Sequence, residues 1–223
     1  MMNIETTRYN SNVVANNAFI RFLAHSISFI FHPLFIISYV FAFLDFIHPA
    51  VFTGFDSSVK LLRFLTVFFF TTLFPLFAIF LCWRLKLMKS LYLRSAKERI
   101  VPYILVMFFY GWTFWVFWNL PESPRPVLFL LLGSFLSVCG GWMCNLFFKI
   151  SMHAIAMGGL FVFSLLFSFH DNYASGLYLS LAILVVGLVC SARFIVSDHR
   201  PADIYLGFII GALAFIASWL IVS

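Results

Sequence analysis

Apolar runs fall at about residues 24–45, 62–83, 101–119, 127–147, 153–170, 177–192 and 203–222, and each is read as one crossing of the hydrocarbon core of a bilayer. Polar or proline-containing breaks separate them at Asp56 to Lys60, Arg84 to Arg99, Pro121 to Pro126, Lys149 to Ser151, His170 to Ser175 and Arg193 to Pro201. The pattern predicts an all-α, polytopic transmembrane helix bundle of about seven helices. Composition agrees. With 63% hydrophobic residues, 10% charged residues and a mean hydropathy of +1.04, the chain lacks the polar surface that a soluble globule of this size needs. No repeat or linker divides residues 1–223, so one membrane-embedded domain is expected, preceded by a polar tail over about residues 1–22 that lacks the pattern of a signal peptide.

The net charge of +6 does not indicate nucleic acid, because the cations lie in short breaks between spans and form no dense exposed basic face. Cys82, Cys139, Cys144 and Cys190 all sit in apolar segments with no ligand-spaced partner, which reads as buried thiols and not as a zinc site or disulfide framework. If every run crosses once, the tail and the breaks after runs two, four and six share one face. That face holds Arg8, Arg21, Arg84, Lys86, Lys89, Arg94, Lys97, Arg99, Lys149, Arg193 and Arg200, against Lys60, Arg63 and Arg125 opposite. The positive-inside rule makes the richer face cytoplasmic. Four of its cations, Lys97, Arg99, Arg193 and Arg200, also fit a chemical role, which leaves sidedness open.

That face also gathers the reactive side chains. Its breaks contain Lys97-Glu98-Arg99 followed by Pro102, then Lys149-Ile150-Ser151-Met152-His153, then Ser191-Ala192-Arg193 followed by His199 and Asp203. Each break precedes a helix, so the N-termini of spans three, five and seven point toward one polar layer, bringing free N–H groups and partial positive charge. Ser151 suits the N-cap of the fifth span and Pro201 the first turn of the seventh. Helix N-termini with several fixed cations make an anion site, and Arg and Ser donors suit phosphate oxygens. Two histidines add a nucleophile and an acid, with Asp203 placed to accept the Nδ1 proton of His199. Such a centre performs phosphoryl transfer without a metal or other cofactor.

The spacing Ser191-x-Arg193-x5-His199-x3-Asp203-x3-Gly207 resembles the third signature of the type 2 phosphatidic acid phosphatase family of membrane lipid phosphatases. Ser151-Met152-His153 resembles that family's Pro-Ser-Gly-His signature, with Ile150 and Met152 in place of the Pro and Gly. Lys97, Arg99 and Pro102 resemble a relaxed form of the first signature, Lys-x6-Arg-Pro. Counting seven back from Arg99 lands on Tyr92. Alignment on Pro102 makes Arg94 the first cation and puts Val101 where the Arg belongs, so whether Lys97 or Arg94 fills that position stays open. Ala192 adds one residue to the usual Ser-Arg pair. The resemblance covers about residues 94–211 and implies the helical core shared by these phosphatases and the haloperoxidases. It further implies that His199 attacks phosphorus, that Asp203 orients it, and that His153 protonates the leaving lipid oxygen and then activates water. Arg99, Arg193, Ser151 and Lys97 would hold the nonbridging oxygens.

The expectation is therefore a multi-pass protein, placed in a bacterial inner membrane, that hydrolyses a lipid phosphomonoester or diphosphate among membrane lipids. The identity of the lipid and the oligomeric state are left open. A lipid phosphotransferase with the same fold and a non-catalytic anionic-lipid binding or transport protein are the alternatives. A two-metal hydrolase is disfavoured because Glu98, Asp198 and Asp203 are the only carboxylates near the site. His32 before Pro33 reads as a kink within the first span, Asp198 and Arg200 as a loop pair, and the basic stretch Arg84 to Arg94 as a headgroup contact. His170 and Asp171 belong to the opposite face.

Overall fold

Prolines mark several of the helix starts. The structure, a computed structural model, describes residues 17–88, 97–147, 149–171, 173, 176–196 and 200–223. Its helices are α1 (Ala18–Ile30), α2 (Pro33–Ala42), α3 (Ser57–Phe68), α4 (Phe74–Arg84), α5 (Ile100–Asn119), α6 (Arg125–Asn145), α7 (Met152–His170), α8 (Gly176–Val196) and α9 (Pro201–Val222), with no strand among the described residues. Pro33, Pro126 and Pro201 lie in the first turns of α2, α6 and α9, where a missing N–H removes no helical bond. Between α3 and α4 the chain stays helical through a wide turn, Phe69–Leu73, in which the Phe74 N–H reaches back to Phe69 O. The cause is Pro75, which has no N–H for the carbonyl one turn before it, so the ladder loosens without breaking. Ser57–Arg84 is accordingly one span of 28 residues.

Among the described residues six helical stretches are long and apolar enough to cross a membrane, and the bent pair Ala18–Ile30 and Pro33–Ile47 makes a seventh candidate. The expected first span, 24–45 with an internal kink, is this bent pair. The chain breaks at His32, where the axes of α1 and α2 diverge by 61°. The segment from α2 to Ile47 runs beside α7 along its whole length. At one end His32 meets His153, and at the other the His48 Nε2 lies 2.8 Å from an Asp171 carboxylate oxygen. His32 thus stands level with the start of α7, and His48 with its end. α1 packs Ala24 and Ser28 inward toward α8 and turns Phe19, Phe22 and Phe29 outward. That division suits a helix whose outer face meets lipid.

The tightest seam joins α7 to α9. A Cβ on Gly158 would stand 1.9 Å from Phe208 O, and one on Gly211 would stand 1.9 Å from Ile155 O. Only glycine permits backbones to approach this closely, which is the small-residue packing that associates helices where lipid supplies no hydrophobic driving force. Below the seam Phe129, Phe163 and Phe215 close the core, with the Phe129 and Phe163 rings stacked at 5.0 Å. The outer faces of α8 and α9 expose Leu181, Leu184, Leu188, Ile209, Leu213 and Leu220, which suits acyl chains. A polar thread crosses the bundle where Thr72 Oγ1 donates to Leu34 O at 2.9 Å and meets Ser38 Oγ. Arg63, counted above among the loop cations, is instead buried under Phe55 and donates to Pro121 O at 3.2 Å.

Candidate functional site

Hydrogen bonds join the breaks that share a face. Arg99 caps α5 after a short turn, Lys97–Arg99, and is only 8% exposed. Its Nη1 donates to Ile150 O at 2.7 Å, which ties the first break to the second. The next residue, Ser151, donates its backbone N–H to Asp203 O at 3.4 Å, which ties the second break to the start of α9. Gly207 permits that link, since a Cβ there would stand 2.9 Å from Ser151 O. The glycine at the end of the third motif therefore has a packing function: it lets the head of α7 sit on the head of α9.

Each element also caps itself. Ser151, fully buried, accepts the Ala154 N–H at its Oγ, as expected of an N-cap. Asp203, third in α9, accepts the Arg200 N–H at 3.0 Å, so its carboxylate closes the first turn of its own helix. A carboxylate has accepting capacity beyond one donor, so capping does not preclude a second role. Asp203 also bears on Arg99. Burial lowers the pKa of that guanidinium below its ordinary value, while the Tyr103 hydroxyl and the Asp203 carboxylate act the other way.

His153, in the first turn of α7, lies half-buried with Nε2 3.0 Å from Ser28 O. A carbonyl accepts only, so this nitrogen donates and carries a proton. The ring meets His32 edge-on, with centroids 5.4 Å apart. His32 caps α2 by accepting the Leu34 N–H at Nδ1, 3.4 Å away, which places its own proton on Nε2. Arg193, in the last turn of α8, is near enough for its charge to act on the His32 ring. Arg99, Ser151, Asp203, His153, His32 and Arg193 are thereby connected by direct contacts or by short-range charge.

His199, Asp198 and Arg94 lie outside the described residues, as does the side chain of Lys97. The departures from the second motif find a use. The side chain of Ile150 is buried while its carbonyl takes Arg99, and Met152 lines a cavity beneath the site.

No protein-family model, curated protein or solved structure matches the chain. The site is therefore read from its own chemistry. Four helix N-termini, of α2, α5, α7 and α9, converge on a layer that also carries Arg99 and Arg193, an arrangement that favours an anion with several oxygens. His32 and α1 were not recognised as parts of it from sequence. A signal existed, because His32-Pro33 has the same cap-then-proline form as Arg200-Pro201, which was read as a helix start.

Proposed function

We propose that the protein is a membrane lipid phosphate phosphatase that works without a metal through a phosphohistidine, with a type 2 phosphatidic acid phosphatase motif pattern. The observation that carries this reading is the pair of hydrogen bonds from Arg99 to Ile150 and from Ser151 to Asp203, which supports gathering three distant motifs into one layer. In the first step Nε2 of His199 attacks phosphorus, the bond to the lipid oxygen breaks, and His153 gives that oxygen a proton. In the second step His153 takes a proton from water, the resulting hydroxide attacks phosphorus, and the phosphorus–nitrogen bond breaks to release phosphate. Because Nε2 of His153 is engaged with Ser28 O, the proton in play is the one on Nδ1. Arg99 and Arg193 stabilise the nonbridging oxygens as charge shifts among them.

The test is phosphate release by purified protein from a panel of lipid phosphomonoesters and diphosphates in the presence of EDTA. Release at an undiminished rate with chelator is expected, and a chelator-sensitive rate or none would refute the reading. His32 is assigned an Nε2–H donor to the phosphate, so His32→Ala should lower kcat/KM by about tenfold, with melting lowered only by the few degrees that loss of the α2 cap costs. An unaltered rate would make His32 a helix cap and nothing more.

A further inference from the structure

At the face opposite the site, a cavity of about 610 Å³ opens where the start of α6 meets the ends of α7 and α9. Its volume is that of a small-molecule site. It lies one length of α7 from the phosphate layer, 19 residues or about 27 Å. Phe129, Phe167 and Trp219 give it apolar walls, and Arg125, His170 and Asp171 give it polar ones. All three polar side chains can be reached, since Arg125 and His170 are exposed and Asp171 is half-buried. The Asp171 carboxylate is fixed by the buried His48, whose Nε2 lies 2.8 Å from one oxygen, and it keeps capacity to accept another donor. His170 Nδ1 lies 2.9 Å from Leu166 O. A carbonyl only accepts, so Nδ1 carries the proton and Nε2 of the neutral ring is an acceptor. That ring rests against Trp219, with centroids 4.4 Å apart. Among the described residues Arg125 forms no ion pair, with Asp171 or with any other carboxylate. A cation and a carboxylate thus face one cavity without neutralising each other, and a ligand bearing both signs beside an apolar body complements them.

We propose that this cavity holds a phospholipid whose headgroup carries a primary ammonium, with the phosphate on Arg125 and the ammonium donating to Asp171 and His170. The level fits, because the apolar helices end here and the headgroup layer of that leaflet begins. Trp219 adds an aromatic face for the ammonium, and Phe129 and Phe167 border the first carbons of the lipid. A trimethylammonium headgroup has no N–H for the two acceptors. A glycerol headgroup has hydroxyl donors but leaves the charge of Asp171 unanswered. The lipid would join α6 to α7 at the end remote from phosphate chemistry, and the proposal stands apart from the phosphatase reading.

Binding to the purified protein in detergent should be measured by native mass spectrometry for three phospholipids with identical acyl chains and ethanolamine, choline or glycerol headgroups. The ethanolamine lipid is expected to bind about tenfold more tightly than either of the others, the worth of a hydrogen bond to a charged group. Asp171→Asn should remove that preference, and Arg125→Gln should weaken binding of all three. Because Asp171→Asn also disturbs the contact with His48, His170→Phe provides a second variant: it keeps a ring against Trp219, removes the acceptor and should reduce the preference. Equal binding of the three headgroups by the wild type overturns the proposal, as does tighter binding of the glycerol or choline lipid. A preference for ethanolamine that survives both Asp171→Asn and His170→Phe overturns it too, by placing the lipid elsewhere on the protein.

Discussion

Gly158→Ala and Gly211→Ala are each expected to lower the melting temperature of the purified protein by about 10 °C, corresponding to a loss of about 3 kcal/mol. Either methyl would stand 1.9 Å from a backbone carbonyl oxygen of the facing helix, and a carbonyl cannot rotate aside as a side chain can. α7 and α9 must therefore separate, which also loosens Phe215 from Phe163. Activity should fall with stability, because the same two helices carry His153 and Asp203 on their first turns. Gly187→Ala is the control, since nothing lies within 4 Å of its added methyl. Unchanged melting of the Gly158 and Gly211 variants would contradict the seam.

His199→Ala is expected to reduce phosphate release by about 10⁴-fold or more, with melting unchanged. The size follows from removing the atom that forms the covalent intermediate, in contrast to the tenfold loss expected on removing a donor such as His32. A small decrease would assign the nucleophile elsewhere.

The membrane architecture was legible because lipid leaves the backbone few options: long apolar runs must be helices, and prolines and polar breaks mark their ends. α5, α6, α7 and α9 begin and end within two residues of the runs read from sequence. The first run bends by 61° at His32, where the sequence predicts an internal kink. Hydropathy is nearly continuous from Ala24 to Phe46, so it carries no bend angle; the cap at His32 with Pro33 sets where the helix breaks. Motif spacing pointed to Arg99, Ser151, His153 and Asp203 through chain order. The contacts that join these elements use backbone carbonyls, Ile150 O for Arg99, Asp203 O for Ser151 and Ser28 O for His153, and a carbonyl leaves no mark in a sequence.

The most direct test of phosphoryl transfer at this face is capture of the covalent intermediate. Protein mixed with a lipid phosphate labelled on phosphorus, quenched in alkali and digested, should yield an acid-labile label on the peptide bearing His199, and none in His199→Ala. A label on a carboxylate or hydroxyl side chain, or continued phosphate release by His199→Ala, would contradict the account.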